Sequence, residues 1–304
     1  MNAAPRNPAS PGNLRTPRNA AANRSRSPAD AGAGMLTVLA FARRDKARSL
    51  VRNAFTRRRA HLSMLRTATD LETRMLHDLV DAVIIDAGAG EDAMRLVAGA
   101  DAFSSIPYFL VSTFLPSDAP MLARAVELGV TDILVEGVDE AVARELVSER
   151  AFSTRFERAL SVPPPMLRLT SELQLSVWRS LIRRAGRPVR TALLAKELGV
   201  SREHLSRSFT SNGAPTLKKV IDLVRVLAAA ELSKNSGYDV RDVAQVLGFA
   251  SSSHLSSTTA RLVGAGASSL SRLRATDLLQ RFERLVLPAG PGAGPANLPS
   301  THAL

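Results

Sequence analysis

Between Leu36 and Phe152, short apolar runs alternate with amphipathic stretches. LTVLAF, HLSML, DAVIID, YFLVST and DILVE are brief and apolar enough to be buried strands. RDKARSLVRNAF, DLETRMLHDL, EDAMRLVAGADAF, APMLARAVELG and DEAVARELVSERAF repeat apolar residues three and four apart, as one face of a helix requires. Five strands, each followed by a helix, predict a doubly wound parallel sheet with helices on both faces and with function at the C-terminal strand ends. SVPPPML at 161–167 breaks both periods, and its three consecutive prolines predict an extended, semi-rigid spacer. Only the helical period continues beyond it. The expected fold is therefore an α/β domain over 35–160, a Pro-rich linker at 161–169 and an all-α domain over 170–287.

The all-α part carries two helix-turn-helix patterns, TALLAKELGVSREHLSRSF (Thr191 to Phe209) and DVRDVAQVLGFASSSHLSSTTARL (Asp239 to Leu262). In the first, Leu193, Leu194 and Leu198 share one side of a helix, and Gly199 suits the left-handed turn that follows. Ser201 stands as N-cap of the second helix, with His204 at the capping-box position. Leu205 and Phe209, four apart, anchor that helix and leave Arg202, Glu203, Ser206 and Arg207 outward. The N-terminal part of such a helix enters the major groove. Arg207 is then suited to a bidentate guanine contact and Arg202 to a phosphate, while Glu203 either reads cytosine or excludes a wrong phosphate geometry. An exposed arginine on a helix is otherwise simply solvated. Residues 216–235 read as one helix between Pro215 and Gly237; about 20 residues span roughly 30 Å, close to the ~34 Å between successive major grooves on one duplex face. One monomer is thus expected to read two grooves.

Charge sharpens this picture. The net charge of +12 divides into about +4 over 1–34, about −2 over 35–160 and about +10 over 166–287, so the basic excess sits with the helix-turn-helix patterns. Such an excess draws phosphate backbones, although an arginine-rich surface also serves plain solubility. The chain has no cysteine, which excludes disulfides, thiolate nucleophiles and cysteine zinc sites. His61, His77, His204, His254 and His302 have no metal-ligand spacing, and no Walker loop, HExxH or strand-borne GxGxxG occurs, so neither metal nor cofactor is expected. Without a signal peptide or a long apolar run, the expected location is cytoplasmic. Residues 1–34 and 288–304 are low in complexity and are expected to be disordered tails. Met35 stands immediately before the first strand, so the first tail is either an artefact of a misplaced start or a basic arm for DNA.

LAKELGVSREHLSRSF, the long helix leading into AAAELSKNSGYDVRDVAQVLGF, and SSSHLS together resemble the AraC/XylS family of bacterial transcription regulators across about 170–274. Val243, Ala244, Leu247, Gly248 and Phe249 match that family's Val-Ala-x-x-Leu-Gly-Phe segment. After HLS the family carries arginine, an aromatic and further basic residues. Ser257, Thr258, Thr259 and Ala260 stand here instead, so the second recognition helix is expected to be a weak reader or a backbone clamp through Ser252, Ser253, Ser256 and Ser257.

DAVIID ending at Asp86, YFLVS ending at Ser112, and AVELGVTDILVE resemble the receiver domain of response regulators, which implies a flavodoxin-like fold over 35–160. Asp86 falls at the family's phosphoacceptor and Ser112 at its switch hydroxyl. Alternatively, Asp86 is a strand-end acid making a turn hydrogen bond. The acidic pair that holds Mg²⁺ in the family is replaced by Phe41, Ala42, Arg43 and Arg44, and its lysine by Glu136 followed by Gly137. Arg43 or Arg44 is placed to pair with Asp86 instead. These resemblances imply a non-enzymatic, sequence-specific transcription regulator with a phosphorylation-independent pseudo-receiver. The implied partners are double-stranded DNA, RNA polymerase and a second copy of the chain, docked around Met121 to Leu128. A phosphorylation-dependent regulator using Asp86 and a non-specific DNA-coating protein are the competing readings.

Overall fold

The computed structural model describes residues 35–210 and 213–287; both expected tails lie outside the described residues. The first half is a five-stranded, wholly parallel sheet of β1 (Leu36–Phe41), β2 (Ala60–Leu65), β3 (Ala82–Asp86), β4 (Tyr108–Ser112) and β5 (Asp132–Val135), in the order β2-β1-β3-β4-β5. This is the doubly wound, receiver-like α/β order. Its helices are α1 (Asp45–Ala54), α2 (Ala68–Met75), α3 (Glu91–Ala98), α4 (Ala119–Glu127) and α5 (Ala143–Arg150). Period-two alternation divides each strand between two cores. Val38, Ala40, Ile84, Phe109 and Val111 face α1 and α5, whereas Leu39, Phe41, Val83, Ile85 and Leu110 face the side of α2 and α3.

The helix expected to end near Phe152 is divided. It breaks at Ala151, whose backbone turns out to ψ 144°, and resumes as α6 (Phe152–Ala159). The break is held by Asp81: its carbonyl accepts from Phe152 N, and its carboxylate accepts from Ser153 N at 3.0 Å and from the Ser153 hydroxyl. The second half is entirely helical, with α7 (Glu172–Arg183), α8 (Thr191–Glu197), α9 (Arg202–Ser208), α10 (Leu217–Leu232), α11 (Val240–Val246), α12 (Ser252–Val263) and α13 (Ala275–Val286). No helix among the described residues is long and apolar enough to cross a membrane.

The two halves share a core. The apolar cluster on the α2 and α3 side of the sheet continues through Phe156, Leu160 and Trp178 into Val224, Leu227 and Phe282 without a gap. Along the proline-rich stretch Leu167 is fully buried, and Trp178 Nε1 donates to the Leu160 carbonyl at 2.9 Å. Polar ties close the seam. Arg187 reaches the buried Asp81 carboxylate at 2.7 Å and the Leu79 carbonyl at 2.9 Å. Asn235 exchanges two hydrogen bonds with Ser105, Gly237 N donates to the Ala102 carbonyl, and the buried Tyr238 hydroxyl donates to the Met75 carbonyl at 2.9 Å. The Phe103 and Tyr238 rings meet edge to face at 5.0 Å.

These ties also explain why α10 is shorter than its pattern suggests. It has 16 residues, about 24 Å at the usual rise. Asn235 folds its side chain back onto the Leu232 carbonyl, and the chain leaves the helix axis to hydrogen-bond the first half.

Asp81 is fully buried and Arg187 only 10% exposed at the side chain, so removing the arginine strands a carboxylate in the seam. Arg187→Ala should lower the unfolding free energy by about 3 kcal/mol or more. Urea titration of the full chain tests this, and a loss under ~1 kcal/mol would mean that Thr37 and Ser153 satisfy Asp81 unaided.

Candidate nucleic-acid interface

In the first unit, α8 buries Leu194 and Ala195 while Leu198 is half-buried. Leu193, expected on the same apolar side, is 38% exposed, because 100° per residue carries it past the edge of the stripe. Gly199 turns at φ 67°, and the Ser201 hydroxyl then accepts from His204 N to cap α9. Leu205 and Phe209 are fully buried beneath that helix. Arg202, Glu203, His204, Ser206 and Arg207 are all exposed on its outer face. Hydrogen bonds from its own backbone N–H and from the Ser201 hydroxyl hold the Glu203 carboxyl below its ordinary range, helped by Arg202 and Arg207.

The second unit repeats the geometry with different supports. Asp239 forms a reciprocal capping box with Asp242 at the start of α11, and the Ser251 hydroxyl caps α12. Arg225 of α10 lies 3.8 Å above the Phe249 ring and donates to the Leu247 carbonyl, fixing the turn between the two helices. Thr258 and Thr259 are buried on the inner face of α12, and Thr259 satisfies its hydroxyl on the Leu255 carbonyl at 2.9 Å. Arg261 is turned to Asp222 of α10 at 2.9 Å. Outward stand Ser253 and Ser257, exposed, with Ser252 and Ser256 half-buried beside them. These serines line an open hollow of about 860 Å³ whose far side is Asp239 and Arg241.

At the C-terminal edge of the sheet, Asp86 is fully buried and its carboxylate is saturated. Oδ2 accepts from the backbone N–H groups of Arg43 at 3.0 Å and Arg44 at 2.8 Å, while Oδ1 accepts from Gly88 N at 2.9 Å and Arg44 Nε at 2.7 Å. The same guanidinium reaches Glu136 at 2.7 Å and the Val111 carbonyl at 3.3 Å. Of the two arginines expected to be near Asp86, Arg44 makes the side-chain pair; Arg43 turns to Asp92. Gly88 is required by this arrangement, since any Cβ there would collide with the Arg44 side chain. Ser112 is directed elsewhere: its hydroxyl donates to Asp118 at 2.7 Å. That bond and one from Thr113 hold the Asp118 carboxyl below its ordinary range.

A family model described as a helix-turn-helix domain matches residues 194–272, from the buried face of α8 to the turn after α12. The chain carries a DNA-binding helix-turn-helix domain of the AraC type. No curated protein matches the chain. Full-length FixJ from B. japonicum is similar at 15% identity over 61% of this chain and 93% of that one, with a TM-score of 0.34. The response regulator ChrA of a heme-sensing two-component system is similar at 15% identity over 62% and 95%, with a TM-score of 0.30.

The AraC-type domain presents α9 and α12 outward while α10 and the loop after it are committed to the other half. Asn235, Tyr238 and Arg187, which hold that commitment, were invisible to motif reading. Arg187 lies in the arginine-rich RRAGRPVR, where nothing in the spacing distinguishes the arginine that reaches Asp81.

Arg44→Ala would leave the buried Asp86 and Glu136 carboxylates without their cation. Because Arg44 itself stays 29% exposed, the expected loss is about 2 to 3 kcal/mol, below that of a fully buried pair. Adding Asp86→Asn and Glu136→Gln should recover part of it in the same urea titration; no recovery would show that packing over Gly88, not charge, is what Arg44 supplies.

Proposed function

We propose that the protein is a sequence-specific DNA-binding transcription regulator whose receiver-like half works without phosphorylation. The helix-turn-helix domain makes double-stranded DNA its partner. The observation that carries the rest is the Arg44 side chain. A phosphorylatable aspartate needs a carboxylate oxygen free to attack, a divalent cation held by neighbouring acids and a cation to neutralise the product. Here both Asp86 oxygens already accept hydrogen bonds, a guanidinium stands against the acid, and Glu136 adds negative charge. The charges are exchanged: the cation comes from the loop after β1 and the acid from the end of β5. The result is a fixed internal ion pair in place of a switchable one.

On this reading Arg207 of α9 reads a base and Arg202 a phosphate, with Glu203 and Ser206 beside them. Ser252, Ser253, Ser256 and Ser257 of α12 hold the backbone of the next groove. A second copy docks around Met121 to Leu128, where Val126 is 66% exposed on α4, and RNA polymerase is the downstream partner.

Incubation with acetyl phosphate and Mg²⁺ should leave the intact mass unchanged. A gain of one phosphoryl group that disappears in Asp86→Asn would establish the phosphorylation-dependent alternative.

Binding curves at one fixed salt concentration, on specific and scrambled duplexes, test the reading of DNA. Arg207→Ala should cost about 1 to 3 kcal/mol on the specific duplex. Ser256→Ala and Ser257→Ala should each cost about 1 kcal/mol or less. A larger specific loss from the serines would make α12 the principal reader, and equal affinity of the unsubstituted chain for both duplexes would favour a coating protein.

A further inference from the structure

Where the seam between the halves is not filled by side chains it opens as a cleft of about 430 Å³. Its floor is apolar: Phe152, Phe156 and Leu160 from α6 and its end, and Leu227 from α10, each under 8% exposed. Its rim is polar and charged, with Arg155 on the α6 side and Glu231 and Lys234 on the α10 side. The size and the division between apolar wall and a few convergent polar groups are those of a small-molecule site, and junctions between domains are where such sites concentrate.

The charges select the ligand. Lys234 Nζ lies 2.6 Å from Glu231 Oε1, so these two largely neutralise each other. Arg155 is the excess cation. One of its nitrogens donates to the Ser105 carbonyl, but a guanidinium offers five N–H donors in a planar fork that matches a carboxylate. Partial burial lowers the Arg155 pKa, and the attraction of Glu231 across the cleft opposes that without matching the guanidinium by a hydrogen bond. A neutral apolar molecule would leave this cation unmatched, and an amine would be repelled by it.

We infer that the cleft between α6 and α10 binds a small apolar monocarboxylate, its body on Phe152, Phe156 and Leu227 and its carboxylate at Arg155. Because the ligand would touch the α6 side and the long helix of the DNA-binding half together, its binding would stabilise the closed seam.

The chain has a single tryptophan, Trp178, whose indole N–H is bonded to the carbonyl of Leu160 in the cleft wall, so its fluorescence reports on occupancy. The full chain should be titrated with octanoate, octanol and octylamine, with calorimetry as a second readout. Saturable binding of octanoate is expected, about tenfold or more tighter than either of the others, as for a charge-assisted contact. Arg155→Gln should bring octanoate down to the level of octanol, whereas Arg158→Gln, on the same helix but outside the cleft, should change nothing. Ala159→Phe, at an exposed position on the rim, should block all three by filling the space; Ser104→Phe serves the same purpose if that variant does not fold. Octylamine binding as tightly as octanoate, no saturable binding of octanoate, or binding that survives both filling substitutions would each overturn the proposal.

Discussion

The buried carboxylate of Asp81 is the constraint around which both halves are arranged. It lies just before β3 with no exposed surface, and an ionised acid there persists only if its oxygens are matched. Thr37 N and Arg187 take one oxygen and Ser153 takes the other, so one side chain ties the first strand, the start of α6 and the DNA-binding half. The split between α5 and α6 follows from the same residue, because Phe152 N turns to the Asp81 carbonyl and Ser153 N to its carboxylate. Once α6 is directed away from the sheet, Phe156 and Leu160 have apolar surface to bury, and Trp178 with Leu227 supplies the opposite wall.

A second electrostatic constraint governs the C-terminal edge of the sheet. Three ionisable groups, Arg44, Asp86 and Glu136, meet where water is largely excluded. Two carboxylates and one guanidinium tolerate each other there because the backbone N–H groups of Arg43, Arg44 and Gly88 share the charge of Asp86. The small residue at Gly88 is part of the electrostatics, since the guanidinium reaches Asp86 only by crossing over it. Ser112, bonded to Asp118, belongs to a separate network in the loop leading to α4.

In the second helix-turn-helix unit α12 is held in place without the aromatic that the family resemblance leads one to expect. Buried threonines replace the aromatic, with Thr259 satisfying its own hydroxyl on the preceding turn. Arg225 stacks on Phe249 from α10, and Arg261 pairs with Asp222, again on α10. The outer face is left to serines, which accept and donate hydrogen bonds but bring no charge.

Much of this was legible in the chain. Short continuous apolar runs marked the strands and the 3.6-residue period marked the helices between them, because a strand buried on both faces is apolar throughout and a helix buried on one is apolar in a stripe; their regular succession implied a parallel sheet. The Leu205 and Phe209 pair, the turn at Gly199 and the cap at Ser201 likewise determined an outward row of Arg202, Glu203, Ser206 and Arg207, since capping and burial are local. The exchange of charge between Arg44 and Glu136 could be suspected from their positions at two strand ends. Only the tertiary structure decided which of Arg43 and Arg44 makes the pair, where α10 stops, and that the two halves share one core with a cleft in its seam. The last two of those outcomes depend on Arg187 meeting Asp81, Asn235 meeting Ser105 and Tyr238 meeting Met75, contacts between residues about 100 or more apart in the chain. Hydrophobic periodicity records which side of an element is buried, and it carries no information about which distant surface does the burying.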